Sequence, residues 1–266
     1  MDRRMSEKEY RAHPAIAQST LKLLDRSPAH ARWAMNHPKE PTDAMQIGTC
    51  LHALVLEGRT DFVVLPAAAG GNSAAAKAIK AGFIMENPGK IILSHSDAEK
   101  VGAMALGVER CKTAMKMLSL VTEPEKAIFW EESGIQFKAL LDAPLALGVM
   151  DLKSTMDASL EEFERSIYKY GYHIQAAHYL AGAAANGLPC ENFYFLPVES
   201  SAPNCARVLM LDHGAIEVGE KERQRLISVY KKCLITGEWP GYPDEIQSVT
   251  LPFWAFKKQM EENDYE

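Results

Sequence analysis

The chain has 266 residues, of which 47% are hydrophobic and 24% are charged, an ordinary globular mixture that allows one large domain or two small ones. This composition excludes disorder for the bulk of the chain. No run of about 18 apolar residues predicts a membrane span, and the polar start at residues 1–8 lacks the apolar stretch of a secretory signal. We therefore expect a cytoplasmic protein without a membrane partner.

The charge balance is acidic, with 29 Lys and Arg against 35 Asp and Glu, giving a formal net charge of −6. Nucleic-acid-binding proteins are usually basic, so this sum argues mildly against DNA as a partner. The cysteines are odd in number and no two have a C-x-x-C spacing, which disfavours a disulfide framework or a zinc knuckle. Reduced thiols are predicted at Cys50, Cys111, Cys190, Cys205 and Cys233.

The first half of the sequence is predicted to be mainly helical, from apolar periodicity and capping residues. Ser27-Pro28 is typical of a helix start, Asp43 is the predicted cap of the next helix, and Gly58 is its stop. In chain order we predict two short helices within 17–36, a helix over 44–57, a strand at 62–65, a mobile loop or weak helix over 67–82, a turn at 88–89, a strand at 91–93 and a helix from 96 to about 118.

The second half alternates between strands and helices. The predicted elements are strands at 127–130, 135–141 and 149–153, helices over 160–168 and 172–185, strands at 192–198 and 206–212, and a long helix over 216–235. We expect one α/β domain spanning 1–266. It would have a helical N-terminal part over about 1–120, a core over about 121–235, and a tail over 236–266 that wraps on the body.

Two carboxylates and a lysine stand out in the predicted sheet. Asp151 and Lys153 project from the same face of one strand, and Asp142 ends the preceding strand. Buried charges must be paired or must bind a metal, and carboxylate oxygens suit Mg²⁺ or Mn²⁺. The alternative is that these are ordinary strand-end charges joined by a salt bridge.

Two helical pairs add to this set. Gly48 and His52 form G-x-x-x-H on the helix over 44–57, and Gln175 and Tyr179 lie four residues apart on a later helix, so each pair shares a helix face. Each pair alone is more typical of packing. The order G-x-x-x-H, strand Asp, Asp-x-Lys, Gln-x-x-x-Tyr is much less expected by chance.

This order resembles the RecB-like branch of the PD-(D/E)xK nuclease superfamily, and the chain looks most like the RecE (exonuclease VIII) family. The resemblance runs through almost the whole chain. It includes the segments 6–10, 19–21, 27–29, 48–57, 128–131, 150–155, 172–175, 238–240 and 251–255.

The resemblance implies a restriction-endonuclease-like α/β core with a mixed central sheet flanked by helices. It also implies a Mg²⁺- or Mn²⁺-dependent exonuclease using two ions, which degrades linear double-stranded DNA 5′ to 3′ and leaves 3′ single strands for recombination. A RecT-like annealing protein would be the partner, and a homo-oligomeric ring, a trimer or tetramer, would be the assembly. The late cysteines are too widely spaced for an iron–sulfur cluster, so none is expected.

The resemblance also implies residue roles. His52, Asp142, Asp151 and the carbonyl of Leu152 would ligate the metals, Lys153 would orient water and stabilise the phosphate, and Gln175 and Tyr179 would hold the substrate strand or the lysine. A family Arg is replaced before Asp142, so either a DNA-facing cation is missing there or Lys138 substitutes for it. The expected DNA contacts are Ser19, Arg26, Arg32 and Glu131, and the expected lining of a basic channel is Arg26, Arg32, Lys77 and Lys80.

Some alternatives stay open from the sequence. Ser19, Arg26 and Arg32 could equally be solvated helix residues. Glu125 and Glu131 match acidic positions of the resembled family, but exposed strand-end charges are the favoured interpretation. An inactive nuclease-fold interaction module and a metal-dependent phosphoesterase of small substrates are the alternative functions.

Overall fold

The N-terminal half of the molecule is mainly helical, as predicted. The computed structural model describes residues 5, 7–37, 40–121 and 123–251. Its first half contains α1 (Glu7–Ala12), α2 (Gln18–Arg26), α3 (Pro28–Asn36), α4 (Asp43–Glu57), β1 (Phe62–Val64), a short 3-10 helix (Ala67–Ala69), α5 (Ala74–Glu86), β2 (Ile91–Leu93), α6 (His95–Arg110) and α7 (Lys112–Leu118). Strands β1 and β2 form a small parallel sheet.

Capping residues set several of these helix ends. The Ser27 hydroxyl accepts a hydrogen bond from the His30 amide at 3.3 Å, with Pro28 at the first helical position, as predicted. Helix α4 begins one residue earlier than expected because Thr42, rather than Asp43, is its cap. The same helix ends at Gly58, whose φ of 63° is the left-handed conformation expected of a stop.

Two helical predictions need correction. The predicted loop or weak helix over 67–82 is a 3-10 turn followed by α5, whose first turn Ser73 caps. The predicted single helix from 96 to about 118 is two helices, because Cys111 has extended backbone angles. Apolar periodicity does not register a break of one residue, since Val108 and Ala114 on its two sides are buried in the same core cluster.

The second half supplies the main strands. Its elements are β3 (Lys126–Glu132), β4 (Ile135–Leu141), β5 (Ala143–Leu145), β6 (Gly148–Thr155), α8 (Leu160–Tyr170), α9 (Tyr172–Ala185), β7 (Asn192–Glu199), β8 (Leu209–Met210) and α10 (His213–Thr236). A two-residue turn at Ser133-Gly134, with positive φ at both positions, joins β3 to β4 as predicted. The expected strand over 206–212 is reduced to β8 and a single bridge between Val198 and Ala206.

The strands form two ladders that meet at one residue. Strand β3 pairs antiparallel with β4, and a second ladder has the order β5-β6-β7-β8. The β6–β7 pair is parallel and is connected through α8 and α9, whereas β5–β6 and β7–β8 are antiparallel. Asp142 lies between β4 and β5, at the point where the chain leaves one ladder and enters the other.

The second ladder lies between two helical layers. Val149 on β6 belongs to a core cluster that includes Ile174 of α9 and Leu226 of α10. Leu152 on the same strand belongs to a cluster that includes Leu51 of α4. Because strand side chains alternate, the odd-numbered residues of β6 point toward α9 and the even-numbered ones toward α4. This alternation decides which residues can reach the site.

The start of the described tail contacts helices α3 and α10, whereas residues 241–251 are exposed, so the expected wrapping is seen mainly around Trp239 and Pro240. The Trp239 ring lies 5.7 Å from that of Tyr230, and the Pro240 carbonyl accepts a hydrogen bond from the Ala29 amide at 3.0 Å. Residues 252–266, part of the predicted wrapping tail and of the final resembling segment, lie outside the described residues. Among the helices within the described ranges, none has the length and apolar character needed to cross a bilayer.

Candidate active site

The backbone around Asp142 fixes its carboxylate. The Leu152 amide of β6 donates to Asp142 Oδ2 at 2.9 Å, and the Glu125 amide donates to the Asp142 carbonyl at 2.9 Å. Asp142 is only 6% exposed. Asp142 therefore lies beside the β6 residues, because β5, which directly follows it, pairs with β6.

His52 reaches the same point from α4. Its Nε2 lies 3.0 Å from the carbonyl oxygen of Leu152. Its Nδ1 lies 3.2 Å from Glu125 Oε1 and 3.5 Å from Asp142 Oδ2. Gly48, one turn earlier on α4, also lines the cleft, so the G-x-x-x-H pattern does mark a site-facing stripe.

Glu125 is a member of this cluster that the sequence interpretation set aside. Its carboxylate is mostly buried, with 16% side-chain exposure, so the favoured interpretation as an exposed strand-end charge was wrong for this residue. Its φ of 54° is uncommon for a residue with a side chain, and such conformations persist where surrounding structure enforces them. The signal available in the sequence was its match to an acidic position of the resembled family.

Asp151 and Lys153 point to the opposite face of β6 from Leu152. The Lys153 ammonium forms an ion pair with Asp151 Oδ2 and lies 5.0 Å from the centre of the Tyr172 ring. Gln175 of α9 donates from Nε2 to Asp151 Oδ1 at 2.7 Å. The two oxygens of Asp151 thus have different partners, the Gln175 amide and the Lys153 ammonium. Gln175 therefore contacts the Asp151 carboxylate, whereas the resemblance implied that it holds the substrate strand or the lysine.

Tyr179 completes the residues that the sequence singled out on α9. It lies one turn after Gln175 and lines the same cleft. Burial raises the pKa of its phenol well above the usual value, and the neighbouring Asp151 and Asp142 raise it further. The hydroxyl therefore keeps its proton and can act as a hydrogen-bond donor.

The electrostatics of the cluster reflect charges crowded out of water. Burial raises the pKa of Asp151 to about 6, although Lys153 opposes this. Burial also raises the pKa of Asp142, against the attraction of His52. Burial alone would lower the pKa of His52, but Asp142 and Glu125 raise it to about 9. A further cation near these carboxylates would relieve the cost of keeping them ionised.

The donor set fits a divalent metal ion. One ligand atom each from His52, Glu125 and Asp142 lie within 4.8 Å of one another. Two carboxylates and an imidazole, beside the carbonyl of Leu152, suit Mg²⁺ or Mn²⁺. Asp151, a predicted ligand, adjoins this group, and its Oδ2 is a buried oxygen that could accept a further bond.

An open cleft of about 1180 Å³ surrounds these residues. Ser19 lines it, together with Arg11, Arg59 and Lys138. The carboxylates on its wall include Glu57 and Asp61, with which Arg59 is paired. The lining is thus mixed in sign, whereas the sequence predicted a basic channel.

Several expected DNA contacts lie outside the cleft lining. Arg26 donates to the Tyr242 hydroxyl at 3.2 Å, and Arg32 lies over the Trp239 ring at 5.1 Å. Glu131 accepts a hydrogen bond from Gln136 at 2.8 Å on β4. Lys77 and Lys80 are exposed on α5. The structure does not bring these five residues to the site.

Lys138 needs a separate correction. The sequence interpretation offered it as a substitute for a DNA-facing cation, but the residue is buried, with 7% exposure. Its ammonium donates to the carbonyls of Tyr10 and His13, each at 2.7 Å. Its side chain therefore binds the chain's own N-terminal segment.

These features define a class of protein. A buried Asp that precedes an Asp-x-Lys strand in a mixed sheet between helices is the arrangement of the PD-(D/E)xK nuclease superfamily. The chain belongs to the family described as "PDDEXK-like domain of unknown function (DUF3799)", whose model matches residues 17–252. The predicted restriction-endonuclease-like α/β fold is confirmed. No curated protein matches the chain.

Two solved structures are similar. A protein from Eubacterium rectale named "putative exonuclease" has a TM-score of 0.59 at 12% identity, covering 96% of this chain and 98% of that one. A phage-related exonuclease from Haemophilus somnus has a TM-score of 0.37 at 13% identity, covering 86% of this chain and 99% of that one. At this identity the similarity to the first structure supports the fold alone. The TM-score of the second is too low to support an inference.

Proposed function

We propose that this chain is a divalent-metal-dependent exodeoxyribonuclease of the RecE-like type, which hydrolyses linear duplex DNA from its ends. The observation that carries the proposal is the joint placement of His52, Glu125 and Asp142 beside the Asp151–Lys153 pair in an open cleft. An interaction module without catalysis would not need buried carboxylates with raised pKa values. Their retention favours an enzyme.

Each residue has a role that its surroundings support. His52, Glu125 and Asp142 would hold the metal, with Asp151 and the Leu152 carbonyl adjacent. A divalent ion in such a site lowers the pKa of bound water and stabilises charge on a phosphate. The Lys153 ammonium is placed by Asp151 and Tyr172, from where it can neutralise charge developing on the phosphate. Gln175 holds Asp151 in one orientation.

The substrate part of the proposal concerns DNA ends. The cleft is open and lined by residues from five or more separate segments, rather than being a closed pocket for a small phosphoester. A net charge of −6 does not prevent binding, because local charge matters more than the sum. Bound metal would also reverse the sign at the carboxylate cluster. Degradation 5′ to 3′, leaving 3′ single strands, is proposed on the resemblance to RecE.

The direct test compares a linear duplex with its covalently closed circular form, with Mg²⁺ or with EDTA. We expect Mg²⁺-dependent release of nucleotides from the linear form only, and loss of a 5′ label before a 3′ label. Asp142→Asn is the matched inactive control. Cleavage of circles would overturn the end requirement. Cleavage of neither, with hydrolysis of a small phosphodiester such as bis-p-nitrophenyl phosphate, would favour the phosphoesterase alternative.

Assembly and partner are separate proposals that rest on the same resemblance. We propose a homo-oligomeric ring of three or four copies and cooperation with a RecT-like annealing protein in the cytoplasm. Light scattering after size-exclusion chromatography measures the first, and a monomeric mass for an active preparation would contradict it. Annealing of complementary single strands produced by this chain, with and without a RecT-like protein, measures the second.

A further inference from the structure

Lys138 is a buried lysine whose ammonium is fully engaged by backbone. It extends from β4 to the end of α1, where the carbonyls of Tyr10 and His13 each accept at 2.7 Å and that of Arg11 lies at 3.4 Å. An ammonium has three donors, so these carbonyls use all of them. The Tyr10 ring lies 4.9 Å from the same nitrogen. The end of a helix is also where a cation is favoured.

The backbone next to Lys138 holds the same segment. The Ile16 amide donates to the Gln136 carbonyl at 2.8 Å, and the Lys138 amide donates to the Ile16 carbonyl at 3.0 Å. The His13 ring packs 4.4 Å from that of Phe129 on β3. Residues 10–16, which we term the N-terminal segment, thus lie along the β3–β4 hairpin.

The N-terminal segment lies at the cleft, so its attachment to β4 affects the shape of the site. Tyr10 and Arg11 line the cleft, and Ser19 lines it just beyond the segment at the start of α2. Strand β4 ends one residue before Asp142. One wall of the cleft is therefore held against the strand that leads to Asp142, by the buried Lys138 side chain together with the two backbone hydrogen bonds of Ile16.

We propose that Lys138 is a positioning residue, which fixes the N-terminal segment as a wall of the cleft so that this wall can guide the DNA backbone to the site. The inference rests on the proposed function for its DNA part. In this role Lys138 does not contact DNA itself, because its ammonium has no donor left for a phosphate.

The test uses Lys138→Met, which keeps the length of the side chain and removes its donors, and Lys138→Arg, which keeps donors. Hydrogen exchange of amides 10–16 reports the attachment, and steady-state cleavage of a linear duplex reports its use. For Lys138→Met we expect about 10-fold faster exchange confined to this segment. We also expect a KM raised about 5- to 10-fold with kcat within about twofold of wild type, the pattern of lost binding.

The controls separate this role from a merely structural one. Lys138→Arg should recover at least part of the KM loss. Lys126→Met removes a lysine from the neighbouring strand whose ammonium pairs only with Glu123 among the described residues, and should change neither readout. Tyr10→Leu alters the wall without leaving carbonyls unpaired, so it should raise KM even if Lys138→Met does not fold.

The outcomes are distinguishable. Absence of cleavage by the wild-type chain overturns the proposed function and the DNA part of this inference with it. Wild-type cleavage with unchanged segment exchange and KM in Lys138→Met overturns the inference alone. A fall in kcat at constant KM, or faster exchange throughout the molecule, would also overturn it by showing that Lys138 supports the whole fold rather than the wall. If Lys138→Met does not fold, an unchanged KM in Tyr10→Leu overturns it.

Discussion

Two charge clusters in this molecule, each centred on buried residues, are built in opposite ways. Arg223 of α10 is 2% exposed, yet its guanidinium donates to both carboxylate oxygens of Glu132, at 2.8 and 3.0 Å, and to both of Glu220, at 2.6 and 2.8 Å. Gln224 adds a donor to each of the two carboxylates. Burial alone would raise the pKa of Glu132, but these hydrogen bonds lower it overall.

The cleft cluster has the opposite balance. Asp142 and Glu125 lie around one imidazole, and the pKa values of Asp142 and Asp151 are raised by burial despite His52 and Lys153. Removing the central cation of a fully hydrogen-bonded network lowers the free energy of unfolding. Crowded buried carboxylates instead lower the stability of the intact protein, and such groups are typical of sites that bind a ligand or metal. The comparison therefore predicts opposite responses to mutation in the two regions.

The largest expected effect is in the cleft. Asp142→Asn keeps the shape of the side chain but removes a charge proposed to hold metal. We expect Mg²⁺-dependent cleavage of linear duplex to fall by about 10³-fold or more. The free energy of unfolding in EDTA should stay equal or rise, since a buried carboxylate is removed. Initial cleavage rates and urea denaturation measure the two quantities.

A matched variant on the edge of the sheet serves as the control. Glu131→Gln removes a carboxylate that is exposed and outside the cleft lining. It should cleave DNA within about twofold of the wild-type rate, because exposed substitutions away from a site have small effects. Full activity in Asp142→Asn would remove the basis for the proposed metal site.

The next effect is in the Arg223 network. Arg223→Met removes the cation that two carboxylates share and leaves the Gln224 amide as the donor common to both, so it should lower the free energy of unfolding by about 3 kcal/mol. Activity per folded molecule should stay near wild type because the arginine does not line the cleft. Urea denaturation and active-site-normalised cleavage give the two measurements.

Arg225→Met is the control on the same helix. Arg225 is half exposed and pairs with Glu222 and Asp25, so its loss should cost no more than about 1 kcal/mol. Equal losses of unfolding free energy in Arg223→Met and Arg225→Met would contradict the comparison, because burial would then not distinguish the two arginines.

The sequence predicted the parts of the molecule that depend on local pattern. Alternation and capping gave most strands and helices, and the spacing from Gly48 to Tyr179 marked residues that do line one cleft. Two features escaped because they depend on tertiary geometry. Glu125 reaches the cluster through a positive φ, which no periodicity signals. Lys138 is directed to carbonyls more than 120 residues away in sequence, whereas the resemblance suggested it as a substitute for a DNA-facing cation. Residue roles at the site stay predictions.

A smaller effect tests the member of the cluster that the sequence interpretation set aside. Glu125→Gln keeps the hydrogen-bonding shape near His52 but removes one of the carboxylates proposed to hold metal. We expect activity to fall about 10- to 100-fold at limiting Mg²⁺ and to recover substantially at saturating Mg²⁺. A Mg²⁺ titration of the cleavage rate measures this, with Glu123→Gln on the adjacent surface as the control. An unchanged Mg²⁺ dependence would place Glu125 outside the metal site.

The smallest expected effect is on the pH dependence of the free energy of unfolding. It comes from a histidine in the apolar core between the two clusters. His178 is fully buried beside Trp130 and Phe137. Its Nε2 lies 3.2 Å from the Lys138 carbonyl, and its Nδ1 has no hydrogen-bond partner among the described residues.

Burial lowers the pKa of His178 to about 3 from the ordinary value of 6.5. Below pH 6.5 His178 therefore binds a proton in the unfolded chain but not in the folded one. The free energy of unfolding consequently falls as the pH drops from 6.5 toward 3. The slope from this group approaches about 1.4 kcal/mol per pH unit.

His178→Gln keeps a donor for the carbonyl and should flatten the slope, whereas His95→Gln at an exposed position should not. Because Asp151 has a raised pKa and contributes with the opposite sign in the same window, the difference between variant and wild type is the informative quantity. Parallel slopes in urea denaturation between pH 7.5 and 5 would show that His178 is not the proton-binding group.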